Sequence, residues 1–491
     1  MRERPVSRAN IPLFACPARL RTFTRARLGR SLASVDIFAV LRLLLQHARP
    51  GMEVALAIHH PGNPDVVLLR EGAALDAYSI PHLQQLGIHE VWIRYPGLEH
   101  LVRYVDPQLM ANYRSLTTRV GNVIDQAMVR NTVEIDFYAC KKALLSVTRH
   151  LAENPQSALW ISQVAHADKP FVRHCGNVAA LSLMMGMRLD FYLVRERKTL
   201  PAGRAKDLTS LGIGALLHDV GMLRIPQPAL DRYNATLDTS DPEWRTHTAL
   251  GYDMVRGVLD PTAAIIALYH HQAWDGTGFP ERPSLRGGTR PAAERDVHVL
   301  ARIVAAAELF SRIKNPAHAP GSSAKDLPTL PTVRALKLML AEATRKKVDP
   351  VVFKALMSVV PAYAPGSVVR LSDGRDAVVT SWHVNAPCRP TVEILHEIEP
   401  RPQKQRGKVV RIDLRELKEL SIVATDGEDV SQDNFEPAEP GEFDLLSLYR
   451  SMENRAHGDL KADAGEDVPH EPVADAPTPE THDDTPPAQA A

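Results

Sequence analysis

The chain has 491 residues, 44% of them apolar, with 58 basic and 58 acidic side chains. That length accommodates two or three domains, each with its own core. Four widely spaced cysteines (Cys16, Cys140, Cys175 and Cys388) exclude a disulfide framework and a zinc ribbon. The charges are segregated: 18 acidic and 3 basic residues lie from Ala424 onward, leaving 55 basic against 40 acidic before it. A basic folded part favours anionic ligands, nucleotides included, without selecting one. No apolar run reaches the roughly 18 residues of a membrane span, since Arg42 interrupts Ile37 to Leu45. The Arg-rich first 30 residues lack the apolar core of a secretory signal, so a cytoplasmic location without a membrane partner is expected.

In chain order, residues 1–35 read as a basic disordered arm. A small α+β module is expected over 36–105, with a helix through Ile37, Val40, Leu41 and Leu44, strands at Glu53 to Ile58, Asp65 to Leu69 and Glu90 to Ile93, and a helix around Ile80 to Leu86. Residues 106–165 alternate apolar and charged positions at helical spacing and read as a helical linker. The core, 166–360, is helical in pattern. Ser367 to Leu371, Asp376 to Ser381, Thr391 to Leu395 and Val409 to Ile412 then read as a small antiparallel sheet within a β-rich extension, 361–423. Residues 424–491 read as an acidic disordered tail, with Phe443 to Tyr449 as a patch able to dock on a partner. The fold class is therefore mainly α, with two small flanking modules.

Within the core, one stretch organises the rest. Asp260 and Pro261 start a helix whose apolar side carries Ile265, Leu268 and Tyr269 and which ends at His270 and His271. Asp275, Gly276, Gly278 and Pro280 then impose a shaped turn. Paired imidazoles beside such a turn suit a metal or a phosphate, or are simply two half-exposed histidines. Four further helices carry related groups. His174 is in line with Phe171, Val178 and Leu181; His218 and Asp219 end the helix of LLHDVGM; His247 shares the face of Trp244, Leu250 and Met254; and Glu308 sits in the apolar stripe of Val297, Leu300, Ala301, Val304 and Ala307. A carboxylate on an inward face needs a cation, so Glu308 implies either a metal or an ion pair with Arg302 or Arg312. His174 and His247 taken singly read equally as satisfied core histidines. Together, five histidines and two carboxylates on five helix faces form the donor set that Fe, Mn or Zn favours, and Asp219 is placed to bridge two ions.

Order and spacing resemble the HD-GYP proteins, a branch of the HD metal-dependent phosphohydrolases that hydrolyse the bacterial second messenger cyclic di-GMP. The resemblance rests on His174, on His218-Asp219 with Val220 and Gly221, on His247, on His270-His271 and on the loop DGTGFP from Asp275 to Pro280. It implies an HD-type helical bundle and two divalent metal ions, Fe or Mn foremost, held by His174, His218, Asp219, His247, His270, His271 and Glu308. His218 and Asp219 would be the catalytic pair for in-line attack on a phosphodiester, yielding pGpG or GMP. Asp275, Gly276, Gly278, Phe279 and Pro280 would shape the substrate entrance and meet a protein partner such as a GGDEF-type cyclase. A homodimer is compatible with the resemblance, and a nucleic-acid polymer is not expected as a ligand. The flanks fit as well, PGMEVALAI resembling the module that precedes such domains and PGSVVRLSDG the strand-rich segment that follows them. Met222 stands where the family has a lysine, Gln272 where it has a glutamate, Glu308 where it has an aspartate and Phe279 where it has a tyrosine. The lysine's charge-assisted contact is worth roughly 1.5 to 3 kcal/mol. An inactive scaffold that binds nucleotide or a cyclase, and a mononucleotide phosphohydrolase, are the alternatives.

Overall fold

The computed structural model describes residues 40–450 apart from residues 61–62, 89, 96, 105, 131–136, 154–169, 285–286, 317–318, 322–328 and 396–409. The expected basic arm lies outside the described residues, as does everything after residue 450.

The N-terminal module contains β1 (Val40–Leu44), β2 (Ile58–His60), β3 (Asn63–Leu69), α1 (Ser79–Gln85) and β4 (Glu90–Arg94). The helix expected through Leu44 is a strand instead. β1 pairs antiparallel with β4, from Val40 opposite Arg94 to Leu44 opposite Glu90. A short apolar run fits either period, and a cross-strand partner decides between them. Arg42 is tolerated inside because it pairs with Glu90 and Asp426, each at 2.7 Å, and donates to Ser367 Oγ at 3.1 Å. The strand expected from Glu53 is reduced to isolated bridges at Glu53 and Val54. Leu41, Val54, Leu83, Ile88 and Ile93 form this module's core, together with Val378 from the C-terminal sheet.

Helices α2 (Pro107–Arg130) and α3 (Phe137–Glu153) are not a mere connection. Tyr113, Leu116, Leu144, Val147 and Leu151 join the same hydrophobic cluster as the core helices that follow. Those helices are α4 (Pro170–Arg188), α5 (Thr209–Leu216), α6 (Gln227–Thr236), a single turn at Pro242–Arg245, α7 (His247–Val255) and α8 (Pro261–Tyr269). A hairpin of β5 (Arg282–Pro283) and β6 (Thr289–Arg290) precedes α9 (Val299–Lys314), α10 (Thr332–Leu340) and α11 (Pro350–Val359). The start signals operate as the sequence implies. Asp241 Oδ1 accepts from the Glu243 and Trp244 amides at 2.9 and 3.2 Å, and Asp260 Oδ1 from the Thr262 amide at 2.9 Å, each with proline next in line. Asp260→Ala is expected to destabilise the protein by about 1 kcal/mol, read as a lower denaturant midpoint at unchanged slope.

Among the described residues no single helix is long and apolar enough to cross a membrane. The C-terminal sheet is antiparallel, in the order β10-β9-β8-β7-β11-β12. Its strands are β7 (Val368–Leu371), β8 (Asp376–Ser381), β9 (Thr391–Ile394), β10 (Arg411–Asp413), β11 (Ile422–Thr425) and β12 (Glu428–Asp429). The acidic tail expected from residue 424 is corrected here, because order continues through Arg450. Val430, Phe443 and Leu445 are buried, and Tyr449 Oη donates to the Arg188 carbonyl at 2.8 Å. The patch from Phe443 to Tyr449 thus docks on the chain's own helical core. Average composition hides this, since a few well-placed apolar side chains are enough to anchor a polar segment.

Candidate metal centre

Helices α4, α5, α7, α8 and α9 bring all seven expected donors to one buried place. Their atoms form two groups with a common member: His174, His218, Asp219 and Glu308 on one side, and Asp219, His247, His270 and His271 on the other. Within each group the donor atoms lie within 4.8 Å of one another. Asp219 divides its two oxygens between them. Oδ2 is 3.2 Å from His218 Nε2 and 3.6 Å from His174 Nε2, while Oδ1 is 3.2 Å from His270 Nε2 and 3.5 Å from His247 Nε2. Glu308, 1% exposed, sets Oε2 at 2.8 Å from His174 Nε2 and 3.2 Å from His218 Nε2.

One local device orients three of the rings. His218, His247 and His270 each direct Nδ1 at the carbonyl three residues earlier, Ala215 at 2.7 Å, Trp244 at 2.7 Å and Ala267 at 3.0 Å. A carbonyl only accepts, so each Nδ1 carries a proton and each Nε2 is the nitrogen turned inward. His174 Nδ1 meets Ser311 Oγ at 3.1 Å. His247 Nε2 and His270 Nε2 lie 3.3 Å apart, and His270 Nε2 is also 3.2 Å from Asp219 Oδ1. His218 Nε2, Asp219 Oδ2, His271 Nε2 and both Glu308 oxygens are enclosed without an aligned hydrogen-bond partner, as suits atoms built to ligate.

The electrostatics agree. Burial lowers His174 and His218, but the acids outweigh it: Glu308 raises His174, and Asp219 with Glu308 pushes His218 up to about 10. Burial would raise Asp219 and Glu308, yet the facing imidazoles hold both well below the carboxylate range. His247, governed by burial, falls to about 3. The acids thus gather positive charge on His174 and His218, while burial keeps His247 and His271 neutral.

Glu308 meets both the donor cluster and an arginine. Its Oε2 joins the cluster, and its Oε1 lies 3.1 Å from Arg312 Nε. Arg302 is occupied elsewhere, with Asp349 at 2.5 Å and with Glu196.

The loop after His271 is fixed by geometry. Asp275 Oδ1 accepts from the Thr277 amide at 3.1 Å and hydroxyl at 2.6 Å, and Gly276 has φ of 78°. A Cβ at Gly278 would lie 2.3 Å from the Ala273 nitrogen and 2.4 Å from the His271 oxygen, so only glycine fits. Phe279 stacks on His271 with centroids 4.8 Å apart, and the Arg245 guanidinium covers the Phe279 ring at 4.7 Å. Gln272, which stands where the family has a glutamate, acts as a strut. It is buried, and its Nε2 donates to the Pro280 carbonyl, closing the loop. Met222 is buried as well, at 1% exposure. Restoring the acid with Gln272→Glu removes that donor and buries a carboxylate against a carbonyl. A loss of about 1 to 3 kcal/mol in stability is expected, measured by denaturant unfolding, with no gain in turnover.

Two contributors were not singled out from the sequence. Ser311, which meets His174 Nδ1, follows Glu308 by three positions, a spacing that puts both on the same helix face. Trp244, fully buried, walls the cluster with centroids 4.6 Å from His247 and 5.2 Å from His271.

Comparison with known proteins agrees with this arrangement. The HD domain family model matches residues 171–313, and a model described as a KOW domain associated with HD domain matches residues 368–432. The chain is 26% identical over 299 residues to cyclic di-GMP phosphodiesterase PA4108 of Pseudomonas aeruginosa, covering 58% of this chain and 60% of that protein. It therefore spans less than two thirds of that relative's length. It is 23% identical over 323 residues to cyclic di-GMP phosphodiesterase response regulator RpfG of Xanthomonas campestris, covering 59% of this chain and 79% of that one. A cyclic di-GMP phosphodiesterase of Thermotoga maritima is 30% identical over 106 residues, 21% of this chain and 26% of that protein. The solved structure titled Bd1817, a HDG"Y"P protein from Bdellovibrio bacteriovorus, is 17% identical, covers 65% of this chain and 98% of that one, and superimposes with a TM-score of only 0.37, too loose a likeness to bear on the site. The matched models thus give the chain an HD domain in its helical core and an HD-associated KOW domain behind it.

Proposed function

We propose that the chain is a phosphodiesterase that binds two divalent metal ions and hydrolyses cyclic di-GMP to pGpG or GMP. The observation that carries this is the convergence of four inward imidazole Nε2 atoms on one buried carboxylate, Asp219, whose two oxygens serve separate donor groups. An apolar core has no use for that arrangement. His174, His218, Asp219 and Glu308 would hold one ion, and Asp219, His247, His270 and His271 the other. When bound, such a pair supplies Lewis acidity toward a phosphoryl oxygen and makes water acidic enough to attack near neutral pH. The chain's own part is orientation and exclusion. Backbone carbonyls lock three rings, Ser311 meets the fourth, and Trp244 and Phe279 keep the His271 side apolar. The choice of cyclic di-GMP is supported by the relatives in Pseudomonas aeruginosa, Xanthomonas campestris and Thermotoga maritima, each named a cyclic di-GMP phosphodiesterase.

The test is metal analysis of anaerobically purified protein combined with a nucleotide hydrolysis assay. About two Fe or Mn ions per chain and production of pGpG are expected. Absence of bound metal, or turnover indifferent to His218→Ala, ends this reading. A binding-only scaffold is the second reading, favoured by Met222, which offers no cation where phosphate charge has to be met. It predicts metal or nucleotide binding without turnover. The exposed Asp275 and Thr277 of the loop would then be the surface for a GGDEF-type cyclase.

A further inference from the structure

The cluster has one neighbour whose chemistry the metal set does not use. Arg312 follows Glu308 by one turn of α9, with its side chain 18% exposed against 1% for Glu308. Its Nε lies 3.1 Å from Glu308 Oε1, but the two are not aligned as a hydrogen bond, and both Nε and Nη1 are enclosed without an acceptor. A guanidinium carries five donors in a planar fork, and enclosed donors without acceptors are a standing cost that an oxyanion removes. Glu308 is committed on its other side, where Oε2 meets His174 and His218. Arg312 therefore borders the first donor group from outside. Its charge also reaches the second, since His271 is held well below the ordinary histidine value by burial, then by His270 and then by Arg312. His271, at 9%, is the most exposed of the seven donors.

We propose that Arg312 is the phosphate anchor of this site, receiving a non-bridging oxygen of the phosphodiester at Nη1 while Nε faces Glu308 Oε1 and the Tyr233 side chain holds the guanidinium from another side. The proposal rests on the phosphodiesterase reading above and adds the group that meets the substrate's charge. Arginine suits the task because its planar fork serves a carboxylate and a phosphate at once, whereas an ammonium acts as a point charge. The competing role is positioning: Arg312 would only steady Glu308 for metal.

Metal-loaded protein with inorganic phosphate as probe separates the two roles. Arg312→Met keeps the length of the side chain and removes its charge; Arg312→Lys keeps the charge and removes the fork. An anchor predicts unchanged metal content in both variants, a phosphate affinity lowered at least about tenfold in Arg312→Met, and partial recovery in Arg312→Lys. It further predicts a weaker salt dependence of phosphate binding in Arg312→Met. Phosphate affinity equal to wild type in Arg312→Met, or falling only in step with lost metal, overturns the proposal. Repeating the titration with cyclic di-GMP tests the underlying reading separately. If phosphate binding depends on Arg312 while cyclic di-GMP is neither bound nor cut, the anchor stands and the cyclic dinucleotide is the wrong substrate.

Discussion

Replacing Asp219 by asparagine is expected to empty both halves of the metal centre while leaving the fold in place. Asp219 is the member common to the two donor groups, with Oδ2 toward His218 and His174 and Oδ1 toward His270 and His247. Asparagine keeps the shape but offers one oxygen in place of two, and its amide hydrogens face either inward ring nitrogens or the carboxylate of Glu308. It also removes the charge that offsets cations in a fully buried site. Metal content is expected to fall from about two ions per chain to below one. Turnover should fall by about a thousandfold or more, beyond the 10 to 100-fold typical of losing a partner that only supports a metal ligand. His271→Ala, which touches one donor group at its more exposed edge, should retain the other ion and lose less. Elemental analysis and single-turnover kinetics on the two variants, with a thermal melt to confirm folding, make the comparison. An asparagine variant that still holds both ions would show that Asp219 is not the bridge.

How much of this was legible beforehand depends on whether a residue's partner lies near it in sequence. The start of α8 was readable because Asp260 caps a helix two residues away and Pro261 suits its first turn, both local facts. Glu308 was readable as an acid in an apolar stripe, but what it meets was not: one oxygen faces His174, 134 positions upstream, and the other faces Arg312, one turn on. The donor cluster and the arginine were framed as rival neighbours, and the geometry gives Glu308 both because a carboxylate has two oxygens. β1 was misread as helix because Leu41 and Leu43 carry no period of their own, and the deciding partner is β4, nearly fifty residues later. The role of Gln272 was not legible for a different reason: its amide serves the Pro280 carbonyl, a bond that exists only once the loop has closed. Spacing identified the donors; it did not identify what holds them.

The segment after Thr425 supplies the second large effect. Phe443→Ala is expected to destabilise the whole chain by about 3 to 5 kcal/mol, as for truncation of a fully buried aromatic side chain. Phe443 has no exposed surface, belongs to the same hydrophobic cluster as the metal-centre helices, and meets Phe435 at 6.5 Å between ring centroids. Its neighbour Leu446, 65% exposed, is the internal control: Leu446→Ala should stay within about 0.5 kcal/mol of the parent. The same segment is fastened at two more places, by Asp426 on Arg42 at 2.7 Å and by Tyr449 on the Arg188 carbonyl at the end of α4. Freeing it would therefore leave Arg42 enclosed with Glu90 as its remaining carboxylate partner, and would uncover the end of the helix that carries His174. Denaturant unfolding should accordingly show the N-terminal module and the helical core losing stability together in Phe443→Ala, followed at Trp92 for the first and Trp244 for the second. If Phe443→Ala unfolds at the parent midpoint, the acidic segment is an appendage after all, and its seat on the core contributes nothing to holding the metal centre together.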